Sequence, residues 1–422
     1  MSVRKIKKVP SKKYLLKNCR ICGSKNLYYF LNLGYMPIPN GFLFRNELTK
    51  PESYYPLQVC VCESCFLMQL RHVVPAEIMF KNYLYIPSTS LTHIESFDVV
   101  AADMIKRFHV RKGSLAVDIG SNDGTLLLQF KASGMKILGI DPAENLASEA
   151  NRKGIRTLQD YFTTKLAGEI VKKYGRAKLI TATNVIGHIN DLHDLCDGLY
   201  ILLDKTGVFM MRVPYVIDLL DKNEFDTIYH EHLSYFSFRP LLTLFSRHRL
   251  KVIDVQKDEI HGGSIRVYVT RDDSVRPVHP RVEKFVTEEK LKKLHLKSTY
   301  DEFARRVKTI KRDLVGFLKR IREQKKTIIG YGASAKGNVL LNYCGITTDI
   351  LAYLVDSTPY KQGKYTPGTH IPIYSESKLE KDTPDYALLL SWNFASEIIG
   401  KQRSYRERGG QFIITIPYLR IV

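Results

Sequence analysis

Two groups of side chains in this sequence have the types and spacing that do chemistry. Cys19-Arg-Ile-Cys22 and Cys62-Glu-Ser-Cys65 are paired C-x-x-C knuckles, the spacing that presents four thiolates to one tetrahedral zinc ion. A site closed by four cysteines has no position left for water, so its role is in folding, not catalysis. Cys60, spaced C-x-C from Cys62, reads as a spare thiol. Further along, Tyr229-His230-Glu231-His232 places a phenol, two imidazoles and a carboxyl within four residues, a set able to move protons. Histidines at i and i+2 of an extended segment point the same way, so His230 and His232 also fit a metal site or a pair of structural histidines.

Two glycine-bearing turns complete the chemical inventory. Val117-Asp-Ile-Gly120-Ser-Asn122-Asp123-Gly124-Thr125 ends an apolar strand and opens a helix; its glycines permit a tight turn and close approach of a ligand to the backbone. Asp141 follows at the tip of the next strand, 21 residues beyond Gly120, where a carboxylate can accept both hydroxyls of a ribose. Together they describe an adenosine pocket. A dinucleotide loop would read G-x-G-x-x-G and face pyrophosphate with a helix N-terminus. Asp123 would repel that group and suits a cationic ligand such as S-adenosylmethionine. The second turn, Gly330-Tyr-Gly332-Ala-Ser334-Ala-Lys336-Gly337, has glycines and a lysine that could cradle a diphosphate, or it is a structural turn. Asp356 ends the strand after it, where an acid could meet a ribose.

Positioning these residues takes several elements. The 422 residues, 44% of them hydrophobic, can fill several cores and exclude disordered, collagen-like and coiled-coil chains. Residues 18–70 are short strand-like runs with turn signals, a small stapled module. From Ser114 to about Thr270, strand-sized runs (Leu115–Ile119, Lys136–Ile140, Leu179–Thr183, Val208–Val213) alternate with helical stretches, the mark of a parallel sheet covered by helices. Residues 280–326 predict one or two long amphipathic helices, and from Thr327 the strand-then-helix rhythm resumes. The expected fold is α/β in four parts: a small cysteine module over 1–80, a parallel-sheet α/β domain over 81–280, a helical connector over 281–326 and a second α/β domain over 327–422.

The motifs taken together resemble the bacterial nucleotide-sugar C-methyltransferases. The resemblance rests on the knuckles, Asp118-Ile-Gly-Ser-Asn-Asp-Gly-Thr125, Phe225-Asp-Thr-Ile-Tyr-His-Glu-His232, His261-Gly-Gly-Ser-Ile-Arg266 and Lys361–Ile373, and runs from Cys19 to Val422. In fold, it implies that the first part is a zinc-binding module, the second a class I methyltransferase Rossmann-like domain and the last a C-terminal Rossmann-like domain. It implies an enzyme that binds S-adenosylmethionine through Gly120, Asn122, Asp123, Gly124, Asp141 and Asn184 and methylates C3 of a 4-keto nucleotide-linked deoxyhexose. It implies His232 as the base, with Tyr229 and Glu231 in the same cluster, and His188 and one of Tyr83 or Tyr85 at the active site. Ser334, Lys336 and Asp356 are assigned to the nucleotide of the substrate. The family pattern has an acidic residue where this chain has Arg212, a reversal of charge that would bear on the sugar if the position lines its pocket.

A net charge of +21 first suggests a polyanion partner. Most of it sits in two places: residues 1–18 hold seven Lys/Arg and no acid, and residues 281–330 hold sixteen against seven. Residues 1–18 hold Tyr14 as their one aromatic, and the 281–330 charges alternate with apolar helix-core positions, where an RNA surface wants stacking aromatics among its charges, which weakens an alternative reading as a zinc-bearing RNA methyltransferase. A zinc-stabilised interaction scaffold without activity is the non-enzymatic alternative. No run reaches the roughly 18 uncharged apolar residues of a membrane span, and the basic start leads into no cleavable apolar segment. The expected protein is a cytoplasmic monomer that binds no nucleic acid.

Overall fold

The computed structural model describes residues 6–79, 88, 91–259 and 262–422. Their strands form three sheets, of five, seven and six strands. The seven-stranded sheet runs, from one edge, Leu250–Asp258, Ser264–Arg271, Leu203–Pro214, Ala177–Thr183, Leu115–Ile119, Lys136–Ile140 and Thr157–Leu158. Six strands point the same way, and Ser264–Arg271 enters antiparallel between Leu203–Pro214 and Leu250–Asp258. Numbered along the chain, this order is 3-2-1-4-5-7-6 with strand 7 reversed, the class I methyltransferase arrangement. Strand order reverses beside Leu115–Ile119, so the crevice at its carboxyl end is where an open α/β sheet receives a ligand. The glycine loop predicted to bind one sits at that crevice.

The six-stranded sheet orders Ile373–Tyr374, Leu354–Val355, Ile328–Tyr331, Tyr386–Leu389 and Gln411–Ile414 in parallel, with Arg420–Ile421 antiparallel at the edge. Its first strand again lies at the reversal of order, with Gly332 to Lys336 at its end. Residues 280–326 form two helices, Arg281–Leu291 and Lys297–Glu323. The longer one does more than span a gap. Phe303, Val307, Leu314, Leu318 and Ile321 bury one face; Tyr300 packs on Phe30 at 5.0 Å between ring centroids, and Asp301 accepts from Tyr28 at 2.7 Å. Lysines and arginines occupy much of the solvent-facing side of this helix, an ordinary amphipathic partition.

The five-stranded sheet holds the cysteine module. Leu27–Met36, Glu52–Cys62 and Met68–Leu70 form its antiparallel body, and the last strand is not local: Ser234–Tyr235 pairs with Met68–Gln69. The segment directly after His232 is thus a strand of the cysteine module's sheet.

Arg212 does not line the main cavity of the described residues. It lies in the strand Leu203–Pro214 with a fully buried side chain, its Nε 3.1 Å from Asp258 Oδ2 and its Nη2 donating to Ser96 at 2.9 Å. The reversed charge is balanced inside the fold by Asp258, to which Arg266 is also close at 3.4 Å. Arg212→Met strands part of that buried charge, so the urea midpoint should fall by the equivalent of about 2–4 kcal/mol while zinc content stays unchanged.

Candidate functional site

The four predicted zinc ligands converge. Sγ atoms of Cys19, Cys22, Cys62 and Cys65 all lie within 4.8 Å of one another, with Cys19 to Cys65 at 3.5 Å and Cys22 to Cys62 at 3.4 Å. Zn–S bonds of about 2.3 Å put tetrahedral sulfurs about 3.8 Å apart, so the donor set fits zinc, and its four thiolates close the site. Cys60 is buried apart from them, its thiol directed at the Gln69 carbonyl at 3.6 Å. Among the described residues, no other group of three or more His, Cys, Asp or Glu side chains converges in this way. His230 and His232 therefore do not form a three-ligand metal site there.

At the first glycine loop, Gly120, Asn122 and Gly124 all take positive φ, of 68°, 51° and 79°, which is why two of them are glycine and the third asparagine. A Cβ at Gly120 would lie 2.6 Å from Val185 Cγ2. Asp141 is tied down at both oxygens: Oδ2 accepts from the Asn122 amide at 2.8 Å and Oδ1 from the Ala143 amide at 2.9 Å. The residue lines the crevice, and burial holds its pKa above the usual carboxylate value. Asp123 Oδ1 accepts from Thr125 Oγ1 at 2.7 Å, while Asp123 Oδ2 and Asn184 Oδ1 are buried acceptors with no hydrogen-bond donor among the described residues. Two orphaned acceptors and a ribose-ready acid fit S-adenosylmethionine, whose ammonium and ribose are donors. Asp118, beneath the loop, accepts from Thr181 at 2.6 Å, and burial pushes its carboxyl up to about 7.

The two predicted histidines meet edge to face, with ring centroids of His188 and His232 4.9 Å apart. His188 ends the short helix Ile186–His188, His232 the turn that follows Tyr229, and Leu233 N donates to Gly187 O at 2.7 Å to join the two segments. His232 Nδ1 lies 2.8 Å from the Thr227 carbonyl. A carbonyl only accepts, so Nδ1 carries the proton and the neutral ring keeps its lone pair on Nε2. Burial, then the His188 ring, holds His232 well below the ordinary imidazole pKa, and burial draws His188 down to about 4. Tyr229 lies against the His232 ring at 3.9 Å. Glu231 turns away: it is fully buried and accepts Asn40 Nδ2 at 2.8 and 3.0 Å, so it holds the turn while Asn40 reaches the crevice. His230 is buried against Tyr55. Tyr83 and Tyr85 lie outside the described residues.

One cavity of about 870 Å³ runs from the Asp141 loop past His188, Tyr229 and His232 to the C-terminal turn. There Asp356 repeats the arrangement of Asp141: Oδ2 accepts from the Ala333 amide at 2.6 Å and Oδ1 from the Thr358 amide at 2.8 Å. Ser334 caps the helix Ala335–Cys344 through Gly337 N at 3.1 Å and donates to Leu390 O at 3.2 Å, a structural use of its hydroxyl. Lys336 reaches over the Trp392 ring at 4.5 Å, toward Asp226 and Glu224. Burial, offset by those two carboxylates, lowers its pKa. Asp226 in turn accepts Trp392 Nε1 at 2.7 Å, and burial raises it to about 6 and Glu224 to about 7.

Asn40, Thr227, Asp226 and Trp392 were not singled out from the sequence. Asp226 and Thr227 lay within the quoted 225–232 motif and could have been found there; Asn40 and Trp392 act across more than 160 residues, with no local signal. The loop Lys361–Ile373, whose role the sequence leaves open, clasps the cysteine module. Tyr365 bridges to Leu43, and Glu52 accepts the Gly368 amide at 3.0 Å and His370 Nε2 at 2.9 Å.

Sheet order, acid-bearing loop and a thiolate module define a zinc-bearing class I methyltransferase. Family models match a zinc binding domain over residues 19–80, a methyltransferase domain over 96–255 and a C-methyltransferase C-terminal domain over 259–417. The chain is 37% identical over 407 residues to C-methyltransferase NovU of Streptomyces niveus, covering 96% of this chain and 97% of that one. It belongs to the S-adenosylmethionine-dependent C-methyltransferase family, and its cofactors are S-adenosylmethionine and structural zinc. The scaffold reading is thereby overturned. Among solved structures, magnesium protoporphyrin IX methyltransferase from Synechocystis is 14% identical with a TM-score of 0.33, over 42% of this chain and 79% of its own. A methyltransferase from Clostridium acetobutylicum is 13% identical with a TM-score of 0.34, over 42% and 92%. No helix of the described residues is long and apolar enough to cross a membrane.

Asp141→Ala removes the acid that both amides orient. Calorimetry should show S-adenosylmethionine binding weakened about ten- to a hundredfold, the equivalent of one or two charge-assisted hydrogen bonds, with zinc content unchanged.

Proposed function

We propose that this enzyme methylates C3 of a nucleotide-linked 4-keto-deoxyhexose, through an enediolate generated by His232. The observation that carries the reading is the tautomer: Nδ1–H is committed to the Thr227 carbonyl, so a cavity-lining ring offers its basic nitrogen at the opposite edge. Carbon methylation needs a carbanion equivalent, and a proton beside a ketone is acidic enough to leave when a base is positioned and the enolate oxygen is stabilised. In this reading His232 Nε2 takes the C3 proton, and the electron pair of that C–H bond moves into the enolate. His188 and Tyr229 hold the ring from two sides. Lys336, which lines the same cavity and whose charge is felt at His232, favours the enolate in this reading, a role taken in place of the diphosphate contact expected from its loop. Bound at the first loop, S-adenosylmethionine supplies an electrophilic methyl group for the carbon nucleophile.

The nucleotide falls to the C-terminal domain in this reading. Asp356, held like Asp141 by two amides, faces the ribose, and Lys361, 3.5 Å from Asp356, is the cation placed for phosphate. Ser334 serves the turn. The 37% identity to a C-methyltransferase over nearly the whole chain supports carbon as the acceptor atom.

His232→Asn should keep S-adenosylmethionine binding by calorimetry yet lower both methyl transfer and exchange of the C3 proton with heavy water by about 10²–10⁴-fold. Turnover near the original rate would reject His232 as the base. A base must be neutral to act, and the pKa of His232 is lowered, so activity present at neutral pH is lost only well below 6.5. A kcat/KM profile with its acid limb at or above 6.5 would contradict this environment.

A further inference from the structure

We infer that Arg20, the second residue of the first zinc knuckle, is a positioning residue for the histidine pair, so that the zinc site sets the geometry of proton transfer as well as folding its own module. The inference rests on the reading of His232 as base. Arg20 lies between Cys19 and Cys22 and is 7% exposed. Its Nη1 donates to Leu233 O at 3.0 Å, Gln69 Oε1 at 3.2 Å and Leu70 O at 3.3 Å. Its Nε donates to Asn190 Oδ1 at 3.3 Å. Leu233 is the residue after His232, and Asn190 stands two beyond His188, so one guanidinium grips the segments that carry both rings.

The grip closes a circuit of backbone bonds. Leu70 N donates to Leu233 O at 3.0 Å, Leu233 N to Gly187 O at 2.7 Å, and Ser234 and Tyr235 pair with Gln69 and Met68. The knuckle itself is tied to the central domain a second time, because Arg247 Nη1 donates to Ile21 O at 2.8 Å. A planar fork that reaches four acceptors in three chain segments fixes directions as well as distances, which a single ammonium cannot do.

Charge explains why a cation is tolerated there. Among the described residues no carboxylate pairs with Arg20, and a buried cation needs a counter-charge. Four thiolates on one divalent zinc carry two net negative charges, and Cys19 and Cys22 flank Arg20 in the chain. The metal centre would thus hold the arginine that holds the base, and a knuckle with a neutral residue at this position would fold its module without ordering the histidines.

Arg20→Met in the full-length enzyme separates these roles. Zinc per chain by mass spectrometry and S-adenosylmethionine affinity by calorimetry should stay within about twofold, while kcat and C3 proton exchange fall about ten- to a hundredfold, as for a catalytic group displaced by about 1 Å. Added guanidinium ion should recover part of the rate, and Arg20→Lys less than the native residue. Independently of turnover, 15N imidazole spectra should show His232 as the Nδ1–H tautomer in the native enzyme and as a mixture in Arg20→Met. Asn190→Ala, which cuts only the His188 arm, should give a smaller loss. Wild-type rates and an unchanged His232 spectrum in Arg20→Met would overturn the inference. Full turnover in His232→Asn would instead overturn the base, leaving the spectral test of Arg20 standing.

Discussion

The seam between Leu70, Leu233 and Gly187 is the constraint on which the rest of this molecule depends. Three short segments, from the thiolate module, the turn after His232 and the turn before His188, are joined there by two backbone hydrogen bonds of 3.0 and 2.7 Å. An imidazole serves as a base only if its lone pair points at the proton, and a turn alone would not hold that direction. Pairing of Ser234–Tyr235 with Met68–Gln69 turns a loop into a strand of another module's sheet. The rigidity of a sheet is lent to a residue outside it.

The electrostatics of the crevice follow from the same burial. Burial draws His188 down to about 4 and holds His232 well below its ordinary value, while Asp226 and Glu224 are raised to about 6 and 7. Low dielectric disfavours charge on every one of these groups, and Lys336 is the cation set among them. The shifts act on stability with opposite signs. Imidazoles with lowered pKa weigh against the folded state as pH falls below 6.5, because the unfolded chain binds protons they refuse. Carboxyls with raised pKa favour the folded state at low pH, and their contribution is lost as pH rises through 6 to 7.

Much of this was legible in the residue order. Both C-x-x-C knuckles are local patterns, and zinc geometry dictates what they do. The strand Leu115–Ile119, its glycine loop and Asp141 announce themselves because apolar runs, positive-φ positions and an acid at a strand tip are short-range features. So is Asp356, whose two amide contacts duplicate those of Asp141. What could not be read is whatever crosses the chain. Glu231 stands beside His232 in sequence, yet the turn sends one side chain to the crevice and the other to Asn40. Lys336 sits in a phosphate-loop pattern but extends to Asp226 and Trp392. Arg212 departs from the family pattern, and only the structure reveals Asp258 opposite it. Periodicity reports which face of an element is apolar; it is silent about which distant element will cover that face.

The borrowed strand also has a bearing on synthesis. Met68–Leu70 emerges from the ribosome more than 160 residues ahead of Ser234–Tyr235, so for that interval the nascent zinc module carries an unsatisfied sheet edge. Open edges recruit foreign strands, and a length of three residues is about as small a template as a strand can offer. Brevity here protects the growing polypeptide until its own later segment arrives.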